Sequence, residues 1–325
     1  MKTILVTGGA GYIGSIVVRR LLEEKYSVII LDNLSRGHKE SIPQMVTFVE
    51  GNIGDEKLVT NLLKKYPIDI VMHFAAFAYV GESVEKPEMY IENNVTQGLV
   101  FLECLKEAGI KKIIFSSSCV TYGSPEKVPI TEETPQKPMS PYGYSKYLFE
   151  RALQYYDEEY GIKFVALRYF NAAGAAYGIG EDHKPETHII PLALDVALGK
   201  RKHFELYGTD YPTKDGTCIR DYVHVLDLAQ VHLLAIKEVE RGHSTFYNLG
   251  SEKGYSNKEV LEVCREVTKH SIPVQEKARR PGDPAMLYAS FQKAKKELGW
   301  KPKYVLKEII QSAWNWHKNN PKGYE

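Results

Sequence analysis

Six short apolar runs, Thr3–Thr7, 28–32, Thr47–Glu50, 70–74, 113–116 and 164–168, recur along the first half of the chain. Amphipathic stretches at 13–24, 57–65, 93–108 and Pro141–Tyr160 lie between them. Apolar runs this short read as strands buried on both faces, and apolar positions three and four apart read as helices packed on them. Such alternation leads to an open parallel sheet with right-handed crossovers and helices on both faces.

The first run is followed at once by Gly8-Gly9-Ala10-Gly11-Tyr12-Ile13-Gly14, which opens the first helical stretch. Gly8, Gly11 and Gly14 permit a tight turn and the close approach of a pyrophosphate to a helix N-terminus, where backbone N–H groups point outward. Asp32 ends the second strand, 18 positions after Gly14. A carboxylate there can accept both ribose hydroxyls and repel a 2′-phosphate, which favours NAD over NADP, although Arg36 weakens that exclusion. The expected fold class is therefore α/β, a Rossmann doubly wound parallel sheet with a smaller α/β substrate-binding domain.

After Arg168 the regular pattern breaks. Residues 171–218 are rich in Gly, Pro, His and acidic groups, with one short helical pattern near 191–198. A strand-like 221–225 and a helical 226–238 follow, then helices near Asn257–Thr268, 290–298 and Leu306–Asn319. The expected division is 1–170 as the NAD-binding domain, with 219–248 returning to it, and 171–325 as a discontinuous second domain.

Ligands of open parallel sheets sit outside the carboxyl ends of the strands. Asn52, after the third strand, can bond an adenine amino group or simply close a turn. His73 reads as a packed core histidine, and the small residues Ala75 and Ala76 beyond Phe74 let backbone run beside a cofactor. Ser116, Ser117 and Ser118 end the fifth strand, and Phe170 and Asn171 end the sixth, Phe170 as a cover for a nicotinamide and Asn171 as a ligand for a hydroxyl.

Pro141–Tyr160 carries Tyr142-Gly143-Tyr144-Ser145-Lys146. Ser140 can cap this helix, Pro141 suits its first position and Gly161 can end it. Tyr142 and Lys146, four apart, share one face, while Tyr144 points elsewhere. An ammonium beside a phenol favours the phenolate, so Tyr142 is expected to act as a base below its usual pKa of about 10. With a dinucleotide, that pair indicates hydride chemistry on an alcohol. Arg220 and Arg280 are guanidinium forks suited to a diphosphate. Glu181, Asp182, His183, Glu186 and His188 lack a recognised ligand spacing, so no metal site is expected.

The balance of 42 basic and 41 acidic residues, +1 overall, gives no global field for nucleic acid or an anionic membrane. The most apolar stretch, 68–80, is too short to span a bilayer, and the start of the chain lacks a signal-peptide core. Cys104, Cys119, Cys218 and Cys264 are scattered without a Cys-x-x-Cys pair, which reads as reduced thiols of a cytoplasmic protein.

Taken in order along nearly the whole chain, these segments resemble the extended short-chain dehydrogenase/reductases, and within them the UDP-glucose 4-epimerases. The matching segments include 6–14, 31–34, 73–76, 80–83, 93–95, 116–118 with Tyr122 and Gly123, 141–146, 167–171, 180–182, 208–212, 220–224 and 280–283. The resemblance implies Ser118, Tyr142 and Lys146 as the catalytic trio, an NAD cofactor and a UDP-glucose or UDP-galactose substrate. It implies cofactor contacts from Tyr12 and Ile13, from Asp32, Asn33, Leu34, Ser35, Arg36 and Gly37, and from Asn52 and Ile53. Phe74, Ala75, Ala76, Phe77, Ala78, Asn93, Ser116 and Phe170 complete that set. It implies substrate contacts from Asn171, His188, Leu206, Tyr207, Arg220, Tyr222, Arg280 and Asp283, besides Ser118 and Tyr142. Homodimers joined through 93–108 and Pro141–Tyr160 are implied as well. His188 and Leu287 depart from better-known members at positions that bear on sugar choice. Sugar-nucleotide dehydratases on this scaffold carry an Asp-Glu pair after the residue matching Ser118, where this chain has Cys119 and Val120.

Overall fold

The computed structural model describes residues 1–280 and 283–324. Pro281 and Gly282, within the 280–283 motif, lie outside the described residues. The chain divides into two compact units, residues 1–123, 135–168 and 229–247 in the first, and 124–134, 169–228 and 248–325 in the second.

The first unit is built on β1 (Thr3–Thr7), β2 (Ser27–Asp32), β3 (Thr47–Glu50), β4 (Ile70–His73), β5 (Lys112–Ser118) and β6 (Lys163–Tyr169). The sheet order is β6-β5-β4-β1-β2-β3, with a seventh strand, Thr245–Leu249, beside β6. β1 pairs in parallel with both β2 and β4, which makes the β1/β4 boundary the point where strand order reverses and ligands bind. The strands are nearly continuous in apolar residues because helices cover both faces: β1, β2 and β4 contribute Ile4, Leu5, Val6, Ile30, Leu31, Ile70 and Val71, all fully buried.

The crossovers are α1 (Tyr12–Glu23), α2 (Glu56–Lys65), α3 (Val80–Glu85), α4 (Pro87–Ile91), α5 (Gln97–Glu107) and α6 (Pro141–Tyr160). α5 begins four residues later than the 93–108 pattern, because 92–96 forms a wider π-type turn leading out of α4. The ends of α6 follow its sequence. Ser140 Oγ accepts the Gly143 N–H at 3.1 Å, Pro141 opens the helix, and Gly161 ends it at φ +66°.

The second unit has its own core of Ile190, Leu194, Leu206, Tyr222, Leu261, Ile310 and neighbours. It holds helices Ile189–Ala197, Asn257–Thr268, Gln292–Leu298 and Leu306–Asn319, with small two- and three-stranded sheets. Residues 219–248, expected to return to the first domain, divide between the two units. Tyr222–His224 pairs with Asn171–Ala173 in a small sheet of the second unit, while residues 229–247 belong to the first. Tyr222, Val223 and His224 find their ladder partners in Asn171–Ala173, in a two-stranded sheet separate from the large one.

Candidate active site

The glycine turn packs so tightly that side chains are excluded. Gly8 sits at φ +71°, and a Cβ there would lie 2.6 Å from the Ala75 nitrogen, while one on Gly14 would collide with the Gly8 carbonyl oxygen. Tyr12, Ile13 and Gly14 form the first turn of α1, which has neither a side-chain cap nor an acidic residue. The positive end of its dipole is thus uncompensated by its own helix, an arrangement that suits a phosphate. Asp32 is buried, and its two oxygens accept the N–H groups of Ala10 and Leu34, each at 2.9 Å. Each oxygen retains acceptor capacity for a ribose hydroxyl. Asn33 closes the next turn by accepting the Ser35 N–H at 3.0 Å, and Gly37 packs on Ala10. These residues fit a dinucleotide.

Arg36, whose position bears on that discrimination, is tied to protein groups. Its guanidinium binds both oxygens of Glu82, at 2.8 and 2.7 Å, and lies over the rings of Phe77 and Tyr79. Glu82 lies in α3, a helix absent from the sequence-based expectation. Asn94 is a second positioning residue that the sequence reading did not single out. Its side chain bonds both the N–H and the carbonyl of Phe77 and reaches Ser145 Oγ at 2.9 Å, tying the loop after β4, with Ala75, Ala76 and Ala78, to α6. Asn93 donates to Asn94 at 2.9 Å. Asn52 accepts the Gly54 N–H at 3.0 Å and so closes a turn, and Ile53 is buried in the core. Phe74 rests on His232, and His73 is structural: it bonds Thr7 at 2.7 Å, stacks on Phe101 and Phe115, and burial pulls its pKa down to about 3.

β5 and α6 bring the expected trio together. Lys146 Nζ donates to the Ser116 carbonyl at 2.7 Å, and Ser118 is close enough to the Tyr142 phenol to act on its ionisation. Tyr144 is about half exposed. The electrostatics differ from the expectation. Burial pushes the Tyr142 pKa up to about 12, and only the neighbouring Ser118 side chain acts against it. Burial pulls Lys146 down to about 7, with Glu150 opposing. Lys146 Nζ lies 6.0 Å from the Tyr142 ring centre with its hydrogen bond aimed at a carbonyl, so desolvation outweighs attraction at the phenol. One turn further on, Glu150 is wholly buried, accepting from Ser117 at 2.6 Å and from Arg168 at 2.9 and 2.8 Å.

In the second unit, Phe170 is buried and Asn171 donates to the Asp221 carbonyl at 2.7 Å. Arg220 is ion-paired with Asp283, and that pairing holds its pKa up against the effect of burial. Arg280 lies 4.2 Å over the Tyr207 ring, and Tyr207 donates to Glu205 at 2.8 Å. A cavity of about 220 Å³ is lined by Tyr207, Arg280 and Asp283, and also by Arg201, Phe204 and Asn257, for which the sequence holds no motif. Leu206 and Tyr222 are core residues of this unit. His188 is held between Glu181 and Glu186, each 2.9 Å from Nδ1, which raises its pKa despite burial. The four side chains Glu181, His183, Glu186 and His188 converge, although their spacing in sequence gave no sign of it.

A family model described as GDP-mannose 4,6 dehydratase matches residues 5–313. The UDP-glucose 4-epimerase of Halalkalibacterium halodurans is 51% identical over 325 residues, 99% of this chain and 97% of that protein. The chain belongs to the UDP-glucose 4-epimerases. A crystal structure of a UDP-glucose 4-epimerase covers 100% of both chains at 48% identity and a TM-score of 0.96. That of the Bifidobacterium longum epimerase, in complex with NAD+ and UDP, covers 99% of this chain and 100% of its own at 41% identity and a TM-score of 0.94. The match to a dehydratase model reflects the scaffold that such epimerases share with it. At the positions after Ser118 this chain has Cys119 and Val120, neither of which is a carboxylate for eliminating water.

Proposed function

We propose that this chain inverts carbon 4 of a UDP-hexose reversibly, between UDP-glucose and UDP-galactose, by way of a 4-keto sugar with NAD as a resident cofactor. The observation that carries the reading is the burial of Ser118, Tyr142 and Lys146 together where β5 ends and α6 begins, with Lys146 fixed to the Ser116 carbonyl. NAD, when bound, supplies the hydride acceptor and donor and a positive ring. The glycine turn and α1 would hold its pyrophosphate, and Asp32 its ribose.

Ser118 orients the sugar 4-hydroxyl, and Tyr142 Oη takes its proton and later returns it. Left to its protein surroundings, Tyr142 is a poor base, so added positive potential is needed for it to ionise. Lys146, with a pKa near 7, is the group matched to neutral pH, and it can change charge in step with the phenol. Arg220 and Arg280, in the second unit, serve as diphosphate ligands, and the 220 Å³ cavity beside Tyr207 serves the nucleotide. Nucleotide binding remote from carbon 4 retains the keto sugar through both hydride steps.

Tyr142→Phe is expected to lower turnover of UDP-galactose by about 10²–10⁴-fold while UDP binding persists. Near-normal turnover would refute the assignment. UDP-galactose, UDP-N-acetylgalactosamine and UDP-xylose offered in parallel identify the preferred sugar. Loss of water from the sugar in place of an epimer would indicate a dehydratase, and net release of NADH would indicate net oxidation of the sugar.

The same reading includes a homodimer through α5 and α6, supported by the exposure of Leu99, Leu148 and Tyr155 on these helices. Size-exclusion chromatography with light scattering tests it, and a monomer at micromolar concentration would reject it. It also includes a cytoplasmic location, supported by four buried cysteines of which none forms a disulfide among the described residues. Among the described residues no helix is long and apolar enough to cross a membrane.

A further inference from the structure

Residues 181–188 of the second unit bring two carboxylates and two imidazoles to one point. Glu181 Oε1 lies 3.2 Å from His183 Nδ1 and 2.9 Å from His188 Nδ1. Glu186 closes the ring, with Oε1 2.9 Å from His188 Nδ1 and Oε2 3.9 Å from His183 Nδ1. One ligand atom from each residue lies within 4.8 Å of the other three. Zinc bonds nitrogen and oxygen at about 2.0–2.2 Å in a tetrahedron, which sets ligand–ligand edges of roughly 3.4 Å. With Glu186 Oε2 as its ligand atom, the three measured edges of 3.2, 2.9 and 3.9 Å bracket that value.

The donor set has the right chemistry. Two imidazole nitrogens with two carboxylates suit zinc and similar first-row ions, whereas calcium and magnesium require more oxygens. Glu181 is only 5% exposed, so its charge must be met locally rather than by solvent. Glu186 is oriented from outside the cluster, because its Oε1 also accepts the N–H groups of Thr187 and His188, at 2.6 and 2.7 Å. Backbone donors of this kind fix a carboxylate ligand in place. A divalent ion would match the two negative charges and bind imidazoles in their neutral form.

We propose that Glu181, His183, Glu186 and His188 bind one divalent transition-metal ion, zinc or an ion of the same geometry. With four protein ligands the site has no open position, so the ion is structural and fastens the segment that carries His188. This goes beyond the epimerase reading and does not depend on it.

The test uses the full chain, stripped of metal by dialysis against a chelator and then titrated with zinc chloride in a calorimeter. One equivalent is expected to bind at micromolar or lower Kd and to raise the thermal midpoint. Cobalt chloride should give the intense visible bands of a tetrahedral ion. His183→Ala and Glu186→Gln should each weaken zinc binding by about 10-fold or more, while His203→Ala, outside the cluster, should not. No stoichiometric binding by the native chain, equal affinity in both cluster variants, or the pale spectrum of octahedral cobalt would each overturn the proposal. Should a variant fail to fold, the cobalt spectrum of the native chain decides.

Discussion

Replacing Glu150 by glutamine isolates the contribution of a buried charge held by protein donors. Glu150 is 0% exposed and the Arg168 side chain 3%. The carboxylate accepts four hydrogen bonds, two from Arg168, one from Ser117 and one from Gln136 at 2.7 Å. Glutamine fills the same space but turns one acceptor into a donor, which then faces another donor. It also leaves the Arg168 guanidinium buried without a counter-charge. Breaking one side of a buried pair costs about 3–5 kcal/mol, so Glu150→Gln should shift the urea unfolding free energy by that amount. Arg168→Met and the double variant complete a cycle whose coupling energy should reach about 2 kcal/mol. There is a second consequence at the site. Glu150 raises the Lys146 pKa against burial, so its loss should move the Lys146 pKa further down and displace the pH–rate profile to lower pH. A stability change under about 1 kcal/mol, or additive single variants, would refute the argument that the pair is tightly coupled.

Lys146→Met gives a pH test of stability. The folded pKa of about 7 lies below lysine's ordinary 10.5, so between these pH values the unfolded chain binds more protons at this group. The native protein should therefore gain stability with rising pH through that window, at up to about 1.4 kcal/mol per pH unit relative to the variant; equal slopes in parallel urea titrations would contradict this. Gly8→Ala combines a left-handed backbone with backbone contacts at 2.6–2.9 Å, so a loss of about 2 kcal/mol or more and impaired NAD retention are expected, read by thermal melting and by cofactor fluorescence. Glu82→Gln should free Arg36, and the ratio of NADP to NAD affinity should then rise by about 10-fold; an unchanged ratio would show that Glu82 does not restrain the guanidinium.

Some elements were legible because their causes are local. The apolar run Thr3–Thr7, the glycines after it and Asp32 at the end of the next strand determine a βαβ unit through chain stereochemistry alone. Ser140, Pro141 and Gly161 set the ends of α6, which then puts Tyr142 and Lys146 on one face by helix geometry. By contrast, α3 and α4 are too short for a clear period, and Thr245–Leu249 gains its place only by pairing at the sheet edge.

What the sequence determined by itself was the sheet, the glycine turn and, within the proposed trio, the placing of Tyr142 and Lys146 on one helix face, because each depends on residues close in the chain. Tertiary structure alone decided the ionisation of that trio, since burial of Tyr142 and Lys146 and the proximity of Glu150 are set by packing. It also decided that Arg36 is held by Glu82, 46 positions away, and that two glutamates and two histidines in a proline-containing loop meet at one point. Desolvation and long-range contact depend on where the chain has folded, and no local pattern of residues encodes them.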